Sequence, residues 1–167
     1  LKKVNTALNF VIVLPVLGEH KIEGGIDFLQ HSLDYLKKIK YINNIYVLTD
    51  SELVSNIAIQ NKVKVITRPD ATKDPNLSLE KVLQYALKSI EVLGDFPEAI
   101  IYVNYLYPFR PERLIDDLIL ELQYEGLDSV FSSYIDFGNY WKEGLDGGYS
   151  QVDNALMPRS EKHPMYR

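Results

Sequence analysis

The sequence contains no cysteine, which excludes disulfide bridges and thiolate sites and fits a reducing compartment; cytoplasmic placement is the expectation. It has no apolar run near the length that spans a bilayer and no signal-peptide pattern, so membrane association is not expected. It lacks a basic excess. Eighteen Lys and Arg stand against 23 Asp and Glu, a net charge of −5, and phosphate-backbone binding needs a basic face, which argues against nucleic acid as the main partner. Two phosphate signatures are also missing. No G-x-x-x-x-G-K-[ST] occurs, and no G-x-G-x-x-G follows the first strand-like run. His20, His31 and His163 share no metal-ligand spacing, and neither a Ser/His/Asp arrangement nor a D-x-D pair can be defended. Repeats, low-complexity tracts and linkers are absent as well.

What is present reads as one α/β domain over residues 1–167, a length sufficient for one sizeable core. Residues 136–167 form a looser hairpin-and-loop extension. Leu1 in place of methionine, and Pro164-Met165-Tyr166-Arg167 at the other end, give the expectation of a C-terminally truncated piece of a longer protein. Asn9 to Val16 is a near-continuous apolar run, the pattern of a strand covered on both faces. Phe28, Leu29, Leu33, Leu36 and Ile39 then recur at helical spacing, predicting a helix over 26–39. Further strands are predicted at 44–49, 63–66, 99–103 and 128–135. Helices are predicted at 51–60, 78–93 and from the turn holding Pro111 to Leu122. Strands alternating with helices through short loops mean a largely parallel central sheet. Gly144-Leu145-Asp146-Gly147-Gly148 predicts a hairpin turn between Tyr140–Glu143 and Tyr149–Val152.

Ligands of such folds bind at the carboxyl ends of the strands. In the loop after the first strand, Gly18 lets a backbone amide approach a ligand, Lys21 supplies a mobile cation, and Gly24-Gly25 precede a helix whose N-terminus favours anions. A flexible surface loop with a solvated lysine is the alternative, since Glu19 and Glu23 oppose a phosphate. Asp50 or Ser51 suits a helix cap. Arg68 stands where a guanidinium clamps phosphate or carboxylate, or remains a surface arginine. Asn104 and Arg110 flank the end of the fourth strand, at the usual ligand crevice.

In order and spacing, these loops resemble the acylneuraminate (CMP-sialic-acid-type) cytidylyltransferase family over about Phe10 to Tyr166. That family opens with a pattern like I-P-A-R-G-G-S-K-G-I-P-G-K-N; Leu14 to Asp27 reads L-P-V-L-G-E-H-K-I-E-G-G-I-D. Its T-D matches Thr49-Asp50, its R-P matches Arg68-Pro69, and its D…S segment matches Asp74 and Ser78. Its h-A-L matches Tyr85-Ala86-Leu87. Its L-Q-P-T-S-P-L-R corresponds to Val103 to Arg110, V-N-Y-L-Y-P-F-R, its D-S-V to Asp128 to Val130, and its R-x-x-x-P-x-Y tail to Arg159 to Tyr166.

The resemblance implies a three-layer α/β/α, Rossmann-like nucleotidyltransferase (nucleotide-diphospho-sugar transferase) fold with a mostly parallel sheet. It implies CTP and a nonulosonic, sialic-acid-like sugar acid as substrates for surface-polysaccharide biosynthesis, with Mg²⁺ as cofactor and ligands that cannot be assigned. Lys21 and Arg68 would hold the triphosphate and neutralise its charge, with nucleotide contacts at Leu14, Gly18 and Ser78. Asn104, Arg110 and Arg159 would lie on the sugar side. A homodimer through the region after the fifth strand is also implied. The family's loop arginine is replaced by Leu17, its second glycine by Glu19, its serine by His20 and its second lysine by Ile26. Two readings follow: a CMP-transferring enzyme, or a catalytically inactive member acting as a binding or scaffolding domain.

Overall fold

The strand β1 (Phe10–Val16) is buried along nearly its whole length, because apolar side chains alternate to both faces of the sheet and both faces are covered. The computed structural model of the chain describes residues 8–17, 25–69, 77–136, 140–152 and 165–166. Beside β1 lie β2 (Asn44–Thr49) and β4 (Ala99–Tyr102), with β3 (Lys64–Thr67) outside β2. The order is β3-β2-β1-β4 and every pairing is parallel.

Four helices connect and cover these strands: α1 (Gly25–Leu36), α2 (Glu52–Gln60), α3 (Leu79–Val92) and α4 (Leu114–Glu125). The even-numbered residues of β1, from Phe10 to Val16, pack with Leu29, Leu33 and Leu36 of α1, Val54 and Ala58 of α2, and Ile115 and Ile119 of α4. Its odd-numbered partners Val11 and Val13 pack with Tyr46, Leu48 and Ile66 against Val82, Ala86 and Ile90 of α3. A period-two strand thus divides its apolar residues between two helix layers, giving a three-layer α/β/α arrangement.

Several boundaries differ from those the sequence predicts. Helix α1 closes at Leu36 because its next amides turn to tighter bonds, Lys38 N to Tyr35 O and Ile39 N to Leu36 O, while Ile39 still packs on the core. Pro111 stands ahead of α4 and opens the turn into it, its carbonyl accepting from Leu114 N at 3.2 Å. The predicted strand at 128–135 does not form: residues 128–134 carry no strand, and Ile135 joins a different, two-stranded sheet. Asp128, Ser129, Ser132 and Ser133 interrupt that run, and an interior parallel strand requires apolar cover on both faces.

Both α2 and α3 end in a Schellman turn. In α2, Lys62 N bonds Ile59 O and Val63 N bonds Ala58 O, with Lys62 itself at φ 59°. In α3, Gly94 takes the left-handed position at φ 83°, Gly94 N bonds Glu91 O and Asp95 N bonds Ile90 O.

These elements belong to a compact unit, Leu1–Asp128; a second comprises Ser129–Arg167. Within the second, β5 (Ile135–Asp136) pairs antiparallel with β8 (Met165–Tyr166). A hairpin is formed by β6 (Trp141–Glu143) and β7 (Tyr149–Gln151), with Trp141 opposite Gln151. Gly147 at φ 76° makes its turn, which Gly144 N closes onto Gly148 O at 2.7 Å.

Candidate functional site

Parallel register sets the chain's exits from the sheet side by side. Val16 is level with Thr49, and Thr49 with Thr67, so Leu17, Asp50 and Arg68 leave the carboxyl edge together. On the other side of β1, Val103 N bonds Val13 O, and Asn104 follows. This edge carries Asp50, Arg68 and Asn104, and the fold uses Arg68 and Asn104 for its own bonds.

At the end of β2, Thr49 is buried and its Oγ1 accepts from Ser51 N at 3.1 Å. Ser51 Oγ in turn accepts from Val54 N at 3.4 Å, so Ser51, not Asp50, caps α2. Asp50 stands just ahead of that cap, and its negative charge acts on Arg68. Arg68 is 3% exposed, and its backbone amide donates to Thr49 O at 2.9 Å. Burial pushes this guanidinium below the ordinary arginine range, and the negative charge of Asp50 works against that shift. A cation taken out of water this far is stabilised only by a nearby carboxylate and hydrogen bonds. Tyr85 on α3 steadies the same corner by donating its hydroxyl to Thr67 O at 3.0 Å.

The end of β4 is organised differently. Asn104 Oδ1 accepts from Leu106 N at 3.1 Å, an Asx turn, and its backbone oxygen accepts from Tyr107 N. Arg110 folds back beneath this turn, Nη2 donating to Asn104 O and Nη1 to Ser32 Oγ, with the guanidinium carbon 5.9 Å from the Tyr35 ring centre. Desolvation lowers the Arg110 pKa, and the Tyr35 phenol opposes that. The ring of Phe109 lies 6.4 Å from that of Phe28, edge-on, and 5.9 Å from that of His31, an exposed residue on α1.

Of the residues predicted to contact ligand, Arg68 feels the charge of Asp50, and Asn104 is bonded by Arg110. Arg68, after β3, and Asn104, after β4, lie on opposite sides of β1, three strand spacings or about 14 Å apart. Leu14 sits inside β1, opposite Val47, with its side chain fully buried. Ser78 Oγ caps α3, accepting from Lys81 N. Gly18, Lys21, Asp74 and Arg159 lie outside the described residues. Ser32 and Tyr35, which help hold the edge together, carry no local motif, and Tyr85 stands in the sequence only as part of the h-A-L match; their roles arise from contacts 18 to 78 positions away.

Among the described residues, no three His, Cys, Asp or Glu side chains come together as a metal site. Mg²⁺ needs only one or two carboxylates beside substrate phosphates, and Asp50, which ends the second strand at this edge, is a group of that type. A concavity of about 580 Å³ opens at the opposite, amino edge of the sheet, lined by Leu36, Lys37, Asn44, Asn61 and Lys64 among others. The last turns of α1 and α2 border it, and their carbonyl ends disfavour anions. No described helix is long and apolar enough to cross a membrane.

No protein-family profile matches the chain, and no curated protein does. Solved structures do. The chain is similar to a CMP:2-keto-3-deoxy-manno-octonic acid synthetase complexed with CTP (16% identity, TM-score 0.56), over 71% of this chain and 48% of that one. It is similar to a 4-diphosphocytidyl-2C-methyl-D-erythritol synthase (12%, TM-score 0.66; 95% and 71%). The synthase of that name from Anaerococcus prevotii matches at 13% with a TM-score of 0.60, over 98% and 68%. This chain thus spans about half the length of the octonic acid synthetase. At these identities the likeness is one of fold: a three-layer α/β/α arrangement about a parallel sheet.

Proposed function

We propose that this chain is a nucleotidyltransferase of the cytidylyltransferase type, transferring CMP from CTP to a nonulosonic, sialic-acid-like sugar acid. The observation that carries the proposal is Arg68: a buried guanidinium immediately after β3, at the carboxyl edge where folds of this kind take their ligands. One similar structure is named as complexed with CTP.

In the proposed reaction a sugar hydroxyl oxygen bonds to the α-phosphorus of CTP. The bond from that phosphorus to the oxygen bridging to the β-phosphate breaks, pyrophosphate leaves, and the hydroxyl proton passes to a base or to water. Such a step depends on positioning and charge neutralisation. Arg68 and Lys21 would hold the triphosphate, Gly18 would admit it, and the backbone near Leu14 would face the base. Asn104 and Arg159 would meet the sugar acid, and Ser78 would set the start of α3. Mg²⁺ would arrive with the nucleotide as its triphosphate complex.

A second reading is favoured by Leu17. This residue, 37% exposed at the exit of β1, puts an alkyl group where the family pattern places arginine. It supports a family member that binds or scaffolds without transferring CMP. In either reading, the exposed hairpin face with Trp141 and Tyr149 is proposed as the contact between two copies, since an isolated two-stranded hairpin is marginally stable in water.

Thermal-shift titration with CTP, UTP, ATP and GTP in the presence of Mg²⁺ tests the proposal. CTP-selective stabilisation that disappears in Lys21→Ala supports the transferase. No response to any of the four nucleotides removes the transferase reading and leaves the scaffold.

A further inference from the structure

We infer that Arg110 is a positioning residue that presents Asn104 to the ligand as a hydrogen-bond donor only. The inference rests on the carboxyl edge being the ligand site. It departs from the resemblance, which puts Arg110 in contact with substrate.

The orientation of Asn104 follows from its neighbours. Leu106 N carries a proton and can only donate, so the side-chain atom facing it at 3.1 Å is the oxygen. The amide nitrogen, with two protons, faces away, and no acceptor among the described residues meets it. Asn104 is half-buried at the strand's end. What it offers a ligand is therefore N–H, which matches a carboxylate or hydroxyl oxygen.

Arg110 holds the turn that sets this orientation. Its Nη2 donates to Asn104 O, the carbonyl that also accepts from Tyr107 N, so one cation secures the backbone on which the side chain is mounted. Its Nη1 reaches Ser32 Oγ at 3.3 Å, and Ser32, fully buried on α1, passes its own proton to Tyr105 O at 3.4 Å. Tyr35, one turn along α1, lies under the guanidinium and donates to Pro111 O at 3.0 Å. Three carbonyls of the 104–111 segment are thus tied to one helix, two of them through the Arg110–Ser32 pair. A planar fork can donate to a serine on one element and a carbonyl on another at once, whereas a lysine ammonium is a point charge on a flexible stem.

Amide hydrogen exchange on ¹⁵N-labelled wild type, Arg110→Ala, Arg110→Lys and Asn104→Asp tests the assignment, together with titration of each by Mg·CTP and by N-acetylneuraminate. Arg110→Ala is expected to speed exchange at Leu106 and Tyr107 by about tenfold, with β1 amides unchanged and Arg110→Lys intermediate. Asn104→Asp is expected to keep the Leu106 protection, because a carboxylate oxygen still accepts there. It should weaken N-acetylneuraminate by about tenfold or more while leaving Mg·CTP unaffected. Unchanged exchange in Arg110→Ala overturns the proposal. So does loss of sugar-acid affinity in that variant without faster exchange, which makes Arg110 a direct contact. Should Arg110→Ala fail to fold, Arg110→Lys gives the same readout. A wild type that binds neither probe defeats the transferase reading, while the exchange rates still decide the role of Arg110.

Discussion

The hydroxyl of Tyr46, on β2, donates to the carboxylate of Asp95 at 2.8 Å and accepts from Lys64 Nζ at 3.2 Å. Asp95 also receives the side-chain amides of Asn9, ahead of β1, and Asn44, at the start of β2. One carboxylate, delivered by the Gly94 turn, ties together the amino ends of β1 and β2, and through Tyr46 reaches Lys64 of β3, at the edge opposite the candidate site.

Removing that carboxylate leaves two amides and a phenol without their acceptor. Asp95→Ala is expected to lower unfolding stability by about 3 kcal/mol, and Asp95→Asn by about half of that, measured by urea denaturation at neutral pH.

The same carboxylate sets a pH dependence. The Asn9 amide, followed by the Tyr46 and Asn44 bonds and the Lys64 charge, holds Asp95 below the ordinary aspartate range, with burial opposing. A depressed folded-state pKa contributes stability that is present above the unfolded value, about 4, and is lost as pH falls through the folded value. The stability gap between wild type and Asp95→Asn should therefore be full at pH 6 to 7 and narrow progressively below about pH 4. A gap that widens on acidification would contradict the assignment.

Lys62 occupies the left-handed position that glycine usually fills at a helix end, at φ 59°. Lys62→Gly is expected to raise stability by about 0.5–1 kcal/mol, seen as a higher urea midpoint with unchanged slope.

Arg68 bears on binding and on stability. Removing a buried cation from beside a carboxylate costs stability, even where replacing both partners by apolar side chains would not. Arg68→Met should lower the melting temperature, while Mg·CTP affinity falls by about tenfold or more. A large fall in melting temperature with nucleotide affinity intact would assign Arg68 a structural role alone.

Ser51 gives a smaller and cleaner effect. Ser51→Ala removes the α2 cap and should cost about 1 kcal/mol, with Ser51→Gly losing only a few tenths; thermal unfolding of the pair checks it.

The parallel sheet was legible in the chain because Phe10–Val16, Asn44–Thr49 and Ala99–Tyr102 are near-continuous apolar runs separated by helical periodicities, and local pattern dictates burial on both faces. The cap of α2 was legible as Asp50 or Ser51 for the same local reason, since Ser51 bonds an amide three residues away, whereas Ser78 read as a nucleotide contact and its cap on α3 was not foreseen. The run at 128–135 misled, since its β-branched and aromatic residues satisfy strand propensity while its aspartate and serines deny it a two-sided core.

Sequence by itself therefore determined most of the elements and their assembly into a parallel sheet, since these follow from periodicity and short-range hydrogen bonds. Only the tertiary structure decided what the polar residues in the loops do. Arg68 and Arg110 both read as ligand-facing cations in one dimension. In three, Arg68 is buried at the end of β3 within the field of Asp50, and Arg110 is turned inward onto Ser32, 78 residues away. A charged side chain acts according to the partners folding brings within hydrogen-bond reach and the water it excludes, and neither is written in its neighbours along the chain.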